Sequence, residues 1–155
     1  MAKLEVGKKA PAFTLTDQDG RKVSLKDFAG QRVVLYFYPA DDTPGCTKEA
    51  CQFNDELATL AKLDTVVLGV SPNNEASHTK FRAKYGLSFS LLCDPEKKVM
   101  VKYGAFGEKV LYGKTVVGVI RSTFIIGPTG TIERTWYSVK TDGHAAKVVA
   151  ALAAN

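Results

Sequence analysis

The residues best suited to chemistry stand in one short run, Pro39-Ala40-Asp41-Asp42-Thr43-Pro44-Gly45-Cys46-Thr47-Lys48-Glu49-Ala50-Cys51. Thr43 is a good helix N-cap and Pro44 a good first helical residue, which puts Cys46 at the third helical position. A sulfur there lies in the positive field of a helix N-terminus, beside backbone N–H groups that have no intrahelical partner. Both effects favour the thiolate, the nucleophilic form, and predict a Cys46 pKa below the usual value of about 8.5. Cys46 also opens an apolar stripe, so a small buried hydrophobe is the competing reading. Cys51, only five residues further on, favours the redox reading.

The other candidates are less telling. The chain has three cysteines, at 46, 51 and 93, and no Cys-x-x-Cys, which argues against a simple disulfide exchanger. Cys93 closes the apolar run Phe89-Ser90-Leu91-Leu92-Cys93 and reads as a buried hydrophobe. His78 and His144 stand in no zinc-ligand spacing with the cysteines, so no metal site is expected. Glu49, in an early helical turn, reads as a complement to the helix dipole. Tyr38 and Trp136 read as core or interface aromatics, and Arg121, beside a strand, as a surface charge.

Elements that would position this run follow from patterning. Arg32–Tyr38 is near-continuously apolar, the signature of a strand buried on both faces, and Pro39 ends it. Cys46, Ala50, Phe53, Leu57 and Leu60 make one helical stripe. Further strands are expected at Phe13–Thr16, Lys22–Leu25, Thr65–Val70, Phe89–Cys93, Lys114–Val119, Ser122–Ile126 and Thr131–Tyr137. A helical turn is expected at Lys26–Ala29. Helices are expected from Asn73 or Asn74 to Tyr85, from Pro95 to Tyr103 and over Asp142–Ala154. Strands alternating with helices, then a late hairpin across Gly127-Pro128-Thr129-Gly130, predict an α/β fold with a mixed central sheet flanked by helices.

Composition agrees with one domain, 1–155, with its own core. The chain has 155 residues, 45% hydrophobic and 24% charged. No apolar stretch approaches the ~20 residues of a membrane span. The segment from Met1 carries no apolar signal core, so a cytoplasmic address is expected. The net charge of +5 is dispersed rather than gathered in a stripe, and no nucleic-acid partner is expected.

The spacing Pro-x-x-x-Thr-x-x-Cys, here Pro39, Thr43 and Cys46, resembles the active-site motif of peroxiredoxins. The string Gly45-Cys46-Thr47-Lys48-Glu49-Ala50-Cys51 is similar to their Q-type, bacterioferritin-comigratory-protein-like subgroup. The likeness extends to Val6-Gly7-x-x-Ala10-Pro11-x-Phe13, Tyr36-Phe37-Tyr38-Pro39 and Arg121-Ser122-Thr123-Phe124. It implies a thioredoxin-like fold. It places the peroxidatic cysteine on Cys46, the resolving cysteine on Cys51, the hydrogen-bonding threonine on Thr43, the pocket arginine on Arg121 and the shielding proline on Pro39.

The resemblance further implies reduction of hydrogen peroxide and alkyl hydroperoxides through a Cys46 sulfenic acid and a Cys46–Cys51 disulfide. Thioredoxin or a similar dithiol protein would recycle it, no cofactor would be needed, and a monomer is expected. A non-enzymatic redox sensor, a chaperone-like binding protein, and a structural domain with inert cysteines are the alternatives. Arg121 together with Thr43 is the feature that a pure disulfide switch would not need.

Overall fold

The apolar run at Arg32 forms β3 (Arg32–Phe37), whose alternate residues enter two separate cores. Val33, Leu35 and Phe37 pack with Phe13, Met100, Tyr103 and Phe124. Val34 and Tyr36 pack with Ala50, Phe53, Phe81 and Val148. A strand enclosed on both faces has no polar side to show, which is why its sequence does not alternate. The computed structural model of the chain describes residues 3–154; Met1, Ala2 and Asn155, part of the expected domain, lie outside the described residues.

Around β3 run β1 (Thr14–Thr16), β2 (Lys22–Ser24), β4 (Thr65–Ser71), β5 (Ser90–Cys93), β8 (Ser122–Ile126) and β9 (Ile132–Trp136). Their order is β2-β1-β5-β4-β3-β8-β9. β3, β4 and β5 are parallel, and the pairs on either flank are antiparallel, so the sheet is mixed as expected. Helices α1 (Pro44–Asp55), α2 (Leu57–Lys62), α3 (Glu75–Tyr85) and α5 (His144–Ala153) bury residues in the Tyr36 core, and α4 (Lys98–Lys102) in the Phe37 core.

The structure departs from the sequence reading in four places. The expected single stripe from Cys46 to Leu60 is two helices, because Glu56 leaves helical geometry at φ −94°, ψ 0° and ends α1. The helix expected from Pro95 begins only at Lys98, since Lys97 takes φ +63°. The helical turn after β2 is a 3₁₀ turn, Leu25–Phe28.

A strand that was not expected, β6 (Phe106–Leu111), pairs with β7 (Lys114–Val119) as a hairpin separate from the main sheet. Tyr112 and Gly113 turn it, with φ of +52° and +77°. Both centres of such a two-residue turn must be left-handed, and Tyr gives little signal of that in sequence. Val110, Tyr112 and Val117 of the hairpin are exposed, so the run lacks the inward-facing alternation by which strands are read.

Candidate active site

The N-terminus of α1 is built as its sequence predicts. Thr43 is the N-cap residue, in extended geometry, and Pro44 is the first helical residue, so Cys46 stands third. The capping hydrogen bond expected of the Thr43 side chain does not form. Asp42 takes a left-handed φ of +57° and the loop bends tightly. The bend brings the Ala40 carbonyl within 3.0 Å of the Thr43 hydroxyl, which donates to it. The Thr43 carbonyl accepts from Thr47 N–H at 2.8 Å and so begins the helix. Pro39, half-buried, lies at the start of the same loop.

Cys46 is 1% exposed. Its sulfur accepts from Arg121 Nη2 at 3.3 Å, and Arg121 Nη1 donates to Glu49 Oε1 at 2.7 Å. Arg121, 75 residues from Cys46 in sequence, arrives between β7 and β8, and its side chain is 17% exposed. The surface-charge reading of Arg121 is therefore replaced by a half-enclosed guanidinium facing a sulfur. An approaching oxygen that gains negative charge would meet a cation that stays charged at any working pH.

Gly45 belongs to this geometry. A Cβ there would stand 3.3 Å from Arg121 Nη2, closer than most real Cβ contacts, so the missing side chain is what lets the guanidinium lie over the first turn.

Glu49 is the residue that the sequence reading missed. It is fully buried rather than a surface complement to the dipole. Burial pushes its carboxyl up to about 7, against the pull of the Arg121 charge. Oε2 has no hydrogen-bond partner among the described residues. A signal for it was present: residues 46, 49, 50 and 53 are one helix face, and a carboxylate on that face must go inward with its own partner.

Cys51 lies on the same helix, partly buried, and its thiol is raised by burial and then by the charge of Asp55. Ideal helix geometry separates the Cys46 and Cys51 Cα atoms by roughly 8.7 Å, with side chains about 140° apart around the axis. All three cysteines are free thiols. Cys93 is 4% exposed, and burial pushes its thiol up to about 11. Tyr38 and Trp136 pack in the core around Tyr36, as expected. His144 donates to or accepts from the Thr123 hydroxyl at 2.8 Å and meets Phe53 and Trp136 edge-on.

The AhpC/TSA family profile matches residues 6–135. Peroxiredoxin Bcp of Bacillus subtilis is 42% identical over 149 residues, covering 96% of this chain and 95% of the relative. Peroxiredoxin Bcp of Escherichia coli is 43% identical over 144 residues, covering 93% and 92%.

Among solved structures, the bacterioferritin comigratory protein of Xanthomonas campestris, studied for its alkyl peroxide reduction activity, superposes with a TM-score of 0.87. It is 40% identical, covering 92% of this chain and 90% of that one. PrxQ of Xylella fastidiosa superposes at 0.92 with 35% identity, covering 99% and 98%. The fold is thus the thioredoxin-like peroxiredoxin fold. With a cysteine at a helix N-terminus and an arginine against its sulfur, the chain belongs to the AhpC/TSA family and is a peroxiredoxin, a thiol-dependent peroxidase of the Bcp type.

Proposed function

We propose that this peroxidase reduces hydrogen peroxide and organic hydroperoxides at Cys46 and closes a Cys46–Cys51 disulfide, as a monomer of one domain in the cytoplasm. The carrying observation is the Arg121 guanidinium 3.3 Å from the Cys46 sulfur, held by Glu49. The Cys46 thiolate attacks one peroxide oxygen; the S–O bond forms, the O–O bond breaks, and the other oxygen leaves with a proton as water or alcohol. Arg121 and first-turn backbone N–H groups stabilise the negative charge spread over sulfur and oxygens.

Thr43 lies beside the attack, able to accept as it stands and to donate once its hydroxyl turns from the Ala40 carbonyl. Pro39 shields the approach. The Cys51 thiolate then attacks the sulfenic sulfur and releases water. Thioredoxin, or a protein with a similar exposed dithiol, reduces the disulfide by exchange.

Cys46→Ser is expected to abolish turnover with the fold intact. Cys51→Ser is expected to oxidise once and stall, labelling more strongly than the parent with a sulfenic-acid trap. Thioredoxin-coupled NADPH consumption and mass mapping read both. Undiminished cycling in Cys51→Ser, or a mapped Cys46–Cys93 bridge, would remove Cys51 from the mechanism.

A further inference from the structure

A second set of buried polar groups lies behind the loop that joins β3 to α1. The Asp41 carboxylate, 4% exposed, accepts from the Tyr38 hydroxyl at 2.5 Å, the Ser77 hydroxyl at 2.7 Å and His78 Nδ1 at 2.7 Å. Its own N–H donates to Asn73 Oδ1 at 2.9 Å, which also accepts from the Ser71 hydroxyl. His78 is fully buried, and its Nε2 donates to the Leu92 carbonyl at 3.0 Å. Nδ1 faces the Asp41 carboxyl and, at 3.5 Å, the Tyr38 hydroxyl, so both ring nitrogens are engaged. The pair is a buried, hydrogen-bonded contact that ties the loop to α3 and β5.

The neighbouring tether is weaker. Asp42 accepts from Lys84 Nζ at 2.8 Å and from the Tyr85 hydroxyl at 2.6 Å, but the Asp42 and Lys84 side chains are 42% and 57% exposed. Exposed pairs of this kind contribute little. Anchorage of the loop therefore falls on Asp41.

We propose that Asp41 and His78, with Tyr38 and Ser77, form a positioning unit for the peroxidase reaction. The unit holds the loop that presents Pro39 and Thr43 to Cys46, and keeps it in place when the first turns of α1 open. This rests on the roles given above to Cys46 and Thr43. Thr43 stands two residues beyond Asp41, and its hydroxyl is bonded to the carbonyl of the residue just before Asp41. The placement of that hydroxyl therefore follows the Asp41 backbone. None of the four side chains needs to touch the substrate, and their effect would be on geometry at the sulfur.

Stopped-flow oxidation of the reduced protein by hydrogen peroxide tests this. Asp41→Asn keeps the size but leaves one acceptor oxygen where Tyr38, Ser77 and His78 share two, and puts an amide donor in place of the other. His78→Phe removes both ring donors. Each is expected to slow oxidation by about tenfold to a hundredfold, the scale of a small misplacement at a reacting centre. Reduction of the disulfide form by dithiothreitol is expected to stay within twofold of the parent. The double variant is expected to lose no more than the slower single variant, because the two act as one unit. His78→Gln, which can still donate, is expected to recover part of the rate.

A lowered thermal midpoint with an unchanged oxidation rate per folded molecule would overturn the proposal, as would additive losses in the double variant. If His78→Phe does not fold, Asp41→Asn and Ser77→Ala decide by the same rate criterion. Mass mapping of the parent separates the two levels: parent oxidation at a cysteine other than Cys46 would refute the site assignment itself.

Discussion

Gly45 shows how one missing side chain serves two ends. Alanine there would favour helix by about 1 kcal/mol. The same methyl would press on Arg121 Nη2 from 3.3 Å and move the guanidinium that faces Cys46. Gly45→Ala is therefore expected to be as stable as the parent or more so, and slower in peroxide oxidation. Arg121→Gln, which removes the charge outright, is expected to slow oxidation by about 10²–10³-fold, the usual loss for one oxyanion donor. Parent-like oxidation rates in both variants would place the catalytic charge elsewhere. Gly69 makes a similar opening deeper in the core: a Cβ there would meet Tyr36 and Leu91 at 3.0 Å, and Tyr36 in turn stacks on Phe53 of α1 at 4.8 Å.

Helix α1 carries both thiols and must change shape for them to meet. Disulfide formation needs Cα atoms within about 7 Å and converging Cβ directions, which a regular helix denies to positions five apart. The break at Glu56 separates α1 from α2, so the first turns can open while Leu60 of α2 stays buried. Phe53, fixed by Tyr36 and edge-on to His144, marks where opening should stop. Residues 44–53 are expected to lose amide protection in the disulfide form and keep it in the dithiol form. Equal protection in both, with the Cys46–Cys51 bond confirmed by mass, would refute the unwinding. Opening would also bring the disulfide out to a protein reductant, and such local equilibria can set turnover.

At the scale of the whole molecule, two buried groups give the fold opposing responses to pH. Glu49 is pushed up to about 7 from its usual 4.5, chiefly by burial. His144 is pushed down to about 4 from 6.5, by burial first and then by the charges of Lys147 and Arg121. Between pH 4.5 and 7 the folded state holds the Glu49 proton that the unfolded chain has lost, so this group makes stability fall as pH rises. Between pH 4 and 6.5 the unfolded chain holds a His144 proton that the folded state refuses, so this group makes stability rise with pH.

Each gap corresponds to about 3 kcal/mol, and where the windows overlap the two contributions nearly cancel. Glu49→Gln is expected to uncover a loss of stability as pH falls from 6.5 towards 4, and His144→Asn a loss as pH rises from 4.5 to 7. Urea unfolding across that range reads both, and flat profiles in the two variants would contradict the assignment.

What the sequence determined by itself is local. The unbroken apolar run of β3, the Thr43-Pro44 helix start and the place of Cys46 in the first turn all follow from neighbours within a few residues. So do the Asn74 cap, whose side chain accepts from Ser77 N–H, and the left-handed Gly86 that ends α3. The motif resemblance named Arg121, but no local pattern could: only the antiparallel pairing of β8 with β3 carries it across 75 residues to the sulfur.

Tertiary structure also decided that Glu49 is buried against that arginine and that Thr43 donates backwards to Ala40 instead of capping. It brought Asp41 to His78 across 37 residues. The same holds for the β6–β7 hairpin, whose register depends on a turn with Tyr112 at positive φ rather than on an inward-facing apolar stripe. Charge pairing and donor choice depend on which distant groups share a low-dielectric space, and periodicity along a chain does not record that.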